Sequence, residues 1–579
     1  MIIIGINAYH ADSSAAIFVN GQLVAAIEEE RFTRVKHWAG FPSLSVAFCL
    51  QEAGIGFKDV DYFAIGRYPR AKLLNKAWYL VKNPANSIGL ITERLSNSRK
   101  VSSIEQELSI ISGLPEMVFK EKIIQVEHHR SHIASAFFAS PFQEAACISI
   151  DGSGDFTTTM LGIGKGNEVR INGSIDFPHS LGIFYTAFTQ LLGFTNYGDE
   201  YKVMGLAPYG KPVYEDRLRK IVQLKKDGLF KLDLTYFSTG SRGNITYGSD
   251  HIPKLSRMCG DKMLHQFGRP RDKDEPLTQY HKDLAASVQS MAEKVIFHLL
   301  ENLHKKTGCD NLCLAGGVAQ NSVANGKITR HTPFKNVYVP CAGHDAGIAM
   351  GAALYVQHQV QKQPRQPAIM NACTGSHFSN ACIKELLVEK CIPFSEYADD
   401  VLFDKITACL ISGGVVGWFN GRAEFGPRAL GGRSILADPR RADAKEILNV
   451  KIKRRESFRP FAPSVLKEYT GVFFELDEEV PFMEKVFPVK KDKQQLIPAV
   501  THADGTGRLQ TVDKNISPRY YALIETFRKK TGIPILLNTS FNENEPIVNL
   551  PAEALNCYLR TSMDMLVMEN ILVSRVPVV

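Results

Sequence analysis

The sequence contains no run near the roughly 20 uninterrupted apolar residues that a membrane span requires, which argues against a transmembrane protein. It also lacks a basic stretch ahead of its first apolar segment. MIIIGINAYHADSSAAIFVNG, with Asp12 inside it, reads as an opening β-strand rather than a signal peptide. The 11 cysteines are odd in number, scattered and free of paired CxxC clusters. Cys309 and Cys313 are the nearest neighbours, and no second pair joins them to complete a zinc site, so reduced thiols in a cytoplasm fit best. Net charge is also scarce: +8 over 579 residues makes no case for a nucleic-acid partner.

What remains is an ordinary globular composition, 44% hydrophobic and 22% charged, in a chain too long for one core. Two or more domains are expected. The polar, Gln-rich segment HQVQKQPRQPAI (358–369), with two prolines, reads as a linker between domains at 1–357 and 370–579.

The first part contains a weak internal repeat. IIIGINAYHADSSAAIFVNGQLVAAIEEE gives strand, polar turn, strand, Asn20-Gly21 and strand, and Asn-Gly between apolar runs predicts a type I′ hairpin. ACISIDGSGDFTTTMLGIGKGNEVRINGSI (146–175) repeats that order, with an acidic Gly/Ser turn after its first strand. Two such units predict a duplicated α/β domain of the actin-like class, its acidic turns facing one cleft. The second part mixes strands such as GGVVGWFNG and TGIPILLNTSFN with helical stretches such as PRRADAKEILNVKIK, and a helix opens at Pro551. It reads as a smaller α/β domain.

VEHHRSHIASAFFASPF places His128 and His132 at i and i+4, on one face of a helix, where they can chelate one ion. A zinc-protease helix would need Glu beside the first His; His129 and Arg130 stand there instead, which argues against that chemistry. Asp151, ending the strand ACISI, and Asp345, in CAGHDAGIAMGAAL, are carboxylates at strand-end turns. If the duplicated fold gathers all four, they form a mixed N/O site suited to Fe(II), Mn(II) or Zn(II) with open positions. Each Asp alone is also a common turn former or N-cap.

LCLAGGVAQNSVANGKI is a strand, a Gly316-Gly317 turn and a helix containing Asn321; amides at such a helix start can receive a phosphate. GDEYKVMGLAPYG sets Lys202 in a glycine-flanked loop suited to covering a ligand. Residues 421–460 hold 11 Lys/Arg against 5 Asp/Glu, interleaved with Gly, Pro and Phe as in a lined pocket. Arg428, Lys453, Arg459 and Arg508 could converge there on a multiply charged anion, with Asn538, Thr539 and Ser540 finishing a nucleotide site.

With these segments in hand, the chain resembles the NodU/CmcH family of O-carbamoyltransferases nearly end to end. The resemblance lies in GINAYHADSSAA, EEERFTRVKHWAGFP, EHHRSHIASAFF, DFPHSLGIFYTAFTQLLGF, EYKVMGLAPYG, LAGGVAQNSVANGKI, EFGPRALGGRSILADPR, FRPFAPSV and LLNTSFNENEPIV. It implies a TsaD-like, actin-like first domain and a YrdC-like second one. The YrdC-like site would join carbamoyl phosphate to ATP, with Mg(II), as a carbamoyl-adenylate. The TsaD-like site would pass the carbamoyl group to a hydroxyl of a small-molecule acceptor.

The resemblance assigns the iron-type metal to His128, His132, Asp151 and Asp345, and the first-domain adenylate to Gly316, Gly317 and Asn321. It assigns the anion site to Arg428, Lys453, Arg459 and Arg508, with Asn538 and Ser540 beside the nucleotide. Asp12 and Lys202 are further catalytic candidates. Many members carry His directly before the Asp of the first turn; here the order is His10-Ala11-Asp12, and His10 is expected to take the acceptor's proton. The acceptor pocket is expected near residues 70–120 and 175–265. Neither nucleic acid nor membrane is an expected partner, and a homodimer is compatible with the sequence. The main rival is threonylcarbamoyl transfer to tRNA adenosine, which uses the same two domain types. A sugar or acetate kinase would need neither the HxxxH pair nor the arginine-rich second domain, and an idle scaffold would have lost ligands.

Overall fold

The computed structural model describes residues 1–82, 104–238, 245–248 and 250–575. It forms two compact units: Met1–Ala324 with Ile328–Ile369, and Met370–Val579 with the short stretch Asn325–Lys327.

The first unit is built on two five-stranded sheets. One takes Ile2–Asn7, Ser14–Val19, Gln22–Glu28, Tyr62–Ile65 and Ile123–Gln125; the other takes Glu144–Gly154, Thr157–Lys165, Glu168–Asp176, Asn311–Ala315 and Asn336–Tyr338. With strands numbered one to five within each half, both sheets run three–two–one–four–five. In both, one–two and two–three pair antiparallel while one–four and four–five pair parallel. This identical order is the duplication the repeat predicts, and it makes the unit an actin-like α/β fold. The first hairpin turns on Asn20 (φ 48°) and Gly21 (φ 87°), two consecutive left-handed residues as type I′ requires. In the second half the first strand runs on to Gly154, so Asp151 lies within it, at a register irregularity between Ile150 and Gly154. The tight turn falls instead on Asp155 and Phe156, both at positive φ.

Small residues let the elements behind the site approach closely. A Cβ on Gly5 would sit 1.8 Å from the Ala349 carbonyl oxygen, and one on Gly351 would sit 1.9 Å from that of Ser131. Helix Gly347–Leu354 therefore lies against both the first strand and helix His128–Phe137, which brings Asp345 up to the two histidines.

Segment 358–369 is part of the first unit rather than a free linker. The Arg365 guanidinium donates to the carbonyls of Phe137 (2.7 Å), Ser140 (2.6 Å) and Phe142 and lies over the Phe137 ring. The Ile369 amide donates to Ala139, and its carbonyl accepts the Tyr338 hydroxyl at 2.8 Å. Prolines and glutamines permit a linker; one arginine with this many acceptors fixes a strap.

The second unit is an eight-stranded mixed sheet. In spatial order its strands are Ser395–Glu396, Ile571–Ser574, Met565–Met568, Val416–Phe419, Arg433–Ala437, Ile535–Ser540, Ala462–Leu466 and Gln510–Val512. Its core includes Trp418, Tyr520 and Tyr558, all essentially inaccessible. The Pro551 helix forms as expected over Pro551–Arg560, with proline in the first turn.

Candidate active site

His128 and His132 project one turn apart from helix His128–Phe137, and both are buried. His128 Nε2 lies 3.0 Å from Asp151 Oδ2 and 3.7 Å from Asp345 Oδ1; His132 Nε2 lies 3.4 and 3.3 Å from the same two oxygens. Ligands about 2.1 Å from one ion are separated by roughly 3.0 to 3.4 Å at neighbouring corners of an octahedron or tetrahedron. Three of these separations fall in that range, and the fourth, 3.7 Å, lies just outside it. Two of the atoms, His132 Nε2 and Asp345 Oδ1, are buried without a hydrogen-bond partner, and an ion would satisfy both. Burial pulls the His132 imidazole down, yet Asp151 and Asp345 outweigh it and raise its pKa to about 9. The two carboxylates favour positive charge in the pocket, which a bound metal ion could supply.

The neighbours hold this quartet in place. His129, between the ligands in sequence, is not one of them. Its Nε2 reaches the Thr157 carbonyl and its Nδ1 the Ser149 hydroxyl, and burial first, then His128, keep it neutral. Gly317 donates its amide to Asp151 Oδ1 at 3.1 Å, so the Gly316-Gly317 turn spends this amide on the metal ligand rather than on a phosphate. Gly316 (φ 93°) is required there, because a Cβ would meet the Ile150 carbonyl oxygen at 2.3 Å. The turn leads into a short 3₁₀ turn, Gly317–Gln320, and a single helical turn, Ser322–Asn325, rather than a long helix. Asn321 is engaged in both directions with Gln289 (2.9 and 3.0 Å) and caps Ala324.

His10 Nδ1 lies 2.7 Å from Asp345 Oδ2, beside the metal-facing oxygen of the same carboxylate. Asp12, at φ 57° in the first turn, is bonded to His37 Nδ1 at 2.7 Å, a partner the spacing of the sequence does not reveal. Lys202 lies on helix Glu200–Leu206 rather than in a loop, and pairs with Asp199 at 2.9 Å. Of the expected acceptor region, residues 83–103, 239–244 and 249 lie outside the described residues. The described part brings the Tyr247 ring to 6.4 Å from His10 and the Tyr197 ring to 5.1 Å from His37.

In the second unit Arg428, Arg455 and Arg459 lie close enough to Arg508 to act on its charge, and Lys453 does not. Arg508 is held well below the usual guanidinium range by burial first, then by the charges of Arg428, Arg455 and Arg459, and its Nε is buried without a hydrogen-bond partner. Arg455, which the sequence reading passed over, is the fourth member. Arg508 thus faces three like charges, while Arg459 also lies 3.7 Å from Glu456 and Arg455 donates to Asn449 at 2.8 Å. Lys453 donates to the Ser540 and Asn542 carbonyls and to Asn542 Oδ1 at 2.7 Å, so Lys453 and Ser540 form one corner. The Asn538 amide nitrogen donates to Ala429, next to Arg428, while its Oδ1 is buried and unpartnered. His502 also escaped the sequence reading. Burial, with Arg508 and Lys445, lowers its pKa to about 4 despite Asp504.

The first unit is thus a duplicated actin-like fold with a buried two-histidine, two-aspartate group that could hold a metal ion, and the second is an α/β unit in which three arginines act on Arg508. Family models for the carbamoyltransferase N-terminus and C-terminus match residues 2–354 and 407–575. The chain is 43% identical to an uncharacterized Synechocystis protein, over 99% of this chain and 96% of that one. It is 39% identical to nodulation protein NolNO of Sinorhizobium fredii, over 98% of this chain and 80% of the relative. Solved structures with partial similarity include HypF of T. kodakarensis (TM-score 0.31, 13% identity, 62% of this chain and 48% of that one). Another is a ROK hexokinase of Thermus thermophilus (TM-score 0.27, 13% identity, 61% and 98%). The chain belongs to the carbamoyltransferase family and is a carbamoyltransferase enzyme.

Proposed function

We propose that this carbamoyltransferase is ATP-dependent: it makes carbamoyl-adenylate from carbamoyl phosphate and ATP at the second unit's arginine cluster and transfers the carbamoyl group at the His/Asp quartet to a hydroxyl of a small-molecule natural product. The observation that supports it is the presence, in one carbamoyltransferase chain, of two unlike sites. One gathers cationic side chains for a phosphate-rich ligand; the other gathers ligands for a cation.

In the second unit, Arg428, Arg455, Arg459 and Arg508 would neutralise the phosphates of carbamoyl phosphate and Mg-ATP, with Lys453, Asn538 and Ser540 alongside. A carbamoyl–AMP anhydride has a better leaving group than carbamoyl phosphate, which is why an unactivated alcohol calls for ATP. In the first unit, His128, His132, Asp151 and Asp345 would hold Fe(II) or a similar ion, which as a Lewis acid polarises an oxygen of the donor. The chain's own part is to fix that ion: Gly317 aims Asp151, and His10 steadies Asp345. A cytoplasmic enzyme acting without nucleic acid, alone or as a homodimer, fits this reading.

The test is incubation with ATP, carbamoyl phosphate, Mg(II) and Fe(II). With water displacing the phosphate of carbamoyl phosphate, release of both inorganic phosphate and pyrophosphate and formation of carbamoyl-adenylate are expected, and their absence would sink the reading. His132→Ala should stop transfer while pyrophosphate release continues; loss of both would contradict two separate sites.

A further inference from the structure

We infer that His37, oriented by Asp12, is the group that takes the acceptor's hydroxyl proton during transfer. The inference rests on the carbamoyl-adenylate reading above and assigns to that reaction a residue the sequence motifs left without a role.

The geometry is that of an oriented base. His37 Nδ1 is fixed by Asp12 Oδ1 at 2.7 Å, which directs Nε2 away from the carboxylate. Among the described residues nothing is hydrogen-bonded to Nε2, and the side chain is 32% exposed, so a ligand hydroxyl can reach it. The Gly198 backbone packs against this edge of the ring, where any Cβ would sit 2.7 Å from Nε2 and crowd it. The backbone of His37 is pinned as well, its amide donating to Glu30 Oε2 at 2.9 Å, while Glu30 Oε1 pairs with Arg31.

The dyad adjoins the metal quartet. Asp12 Oδ2 is 3.9 Å from Nε2 of His344, the residue before Asp345. Tyr197, edge-on to His37, has its hydroxyl pKa pushed up by burial and then by Asp345 and Asp12, so it stands near both groups. His10 is the weaker candidate, because its Nδ1 approaches Asp345, the carboxylate that faces the ion site, and its side chain is only 15% exposed.

The step balances without another reactant. The acceptor O–H breaks as its oxygen bonds the carbamoyl carbon, and the proton passes to His37 Nε2. The bond from that carbon to the adenylate oxygen breaks, and its electron pair leaves on AMP.

The groups facing His37 set its pH behaviour. Burial pulls its pKa down, Asp12 and Glu30 raise it, Lys36 opposes them, and the result is about 9. Glu200 and Tyr197 also face it, and His344 acts through Asp12. Transfer should therefore rise with pH towards 9, and Asp12→Asn, which removes the anion, should move that limb to lower pH.

The experiment supplies ATP, carbamoyl phosphate, Mg(II) and Fe(II) with glycerol and water as probe acceptors. It measures pyrophosphate, AMP release and bound iron, with His132→Ala as the transfer background. His37→Gln should lose roughly 10²- to 10⁴-fold in AMP release, the usual range for a general base. Its pyrophosphate formation and iron content should stay at wild-type levels. Wild-type AMP release, an unshifted limb in Asp12→Asn, or loss of iron along with transfer in His37→Gln would each overturn the assignment. A wild-type enzyme that forms no pyrophosphate, or releases AMP only at background, would instead overturn the carbamoylation reading and this inference with it.

Discussion

Gly154 stands directly against the imidazole of His128: a Cβ built on it would lie 2.1 Å from the ring's Cδ2 and Cγ. The residue that ends the strand bearing Asp151 is thus the floor beneath a metal ligand on a separate helix. The quartet is assembled by close approach of backbone to ring, as well as by its four side chains.

Gly154→Ala should therefore push His128 out of line while leaving every ligand in the sequence. Overpacking of this kind costs about 1–3 kcal/mol, and disturbing what orients a ligand typically lowers metal affinity by about 10–100-fold. Metal analysis after dialysis against a weak chelator should show less than the wild-type content. Thermal unfolding should show a lower Tm in both metal-loaded and metal-free protein. Unchanged content would mean that His128 does not depend on this contact.

The four-arginine cluster makes a separable prediction. Buried Arg508 carries an unpartnered Nε and faces three like charges, so an added polyanion should stabilise the protein. Pyrophosphate should raise the wild-type Tm, less so at high salt because screening weakens the attraction. Arg508→Leu should abolish most of that rise and raise the KM for carbamoyl phosphate by roughly 10- to 150-fold, the equivalent of about 1.5–3 kcal/mol for a charged hydrogen bond. Iron content should not change.

Part of the candidate metal site was legible because it is local. The HxxxH spacing sets two imidazoles on one helical face, and Asn20-Gly21 dictates its turn. Contacts between distant segments were not. Nothing in RVKHWAG shows that His37 meets Asp12, because the pairing exists only once the first hairpin and the helix at Glu30–Thr33 have packed. The glycines flanking Lys202 favour a loop by propensity, yet the helix Glu200–Leu206 forms and runs through Gly205, tertiary context overriding that preference. Asp151 looked like the end of a strand because Gly and Ser follow it; the antiparallel partner Thr157–Lys165 carries the strand on to Gly154.

His502 gives the second unit a defined acid sensitivity. Its folded pKa of about 4 is below the ordinary value of 6.5, with burial as the first cause. The unfolded chain then binds more protons between pH 6.5 and 4, so stability rises with pH across that window and is lost as pH falls through it. At about 1.4 kcal/mol per pH unit, this group contributes at most about 3 kcal/mol, and less to the extent that solvent reaches the ring. Denaturant unfolding at pH 7 and pH 4.5 should show a smaller difference for His502→Gln than for wild type. An equal difference would assign the acid sensitivity to other groups.

The Arg365 strap yields the last expectation. One guanidinium serves the carbonyls of Phe137, Ser140 and Phe142, at and just beyond the C-terminal end of the helix that carries His128 and His132. Arg365→Ala takes this donor from the Ser140 and Phe142 carbonyls, while Phe137 keeps the Ser140 amide and hydroxyl, and it removes the cation from above the Phe137 ring. Breaking such a set should destabilise the first unit by about 2–4 kcal/mol. Arg365→Lys should recover only part of that loss, because a single ammonium cannot span the same fork of acceptors. Hydrogen exchange should locate the loosening at residues 137–142 and 363–369, while the amides of helix His128–Phe137 that face the strand of Asp151 keep their protection. If the exchange reached those amides too, the strap would be part of what holds the metal ligands in place, and Arg365→Ala would lose iron as well as stability.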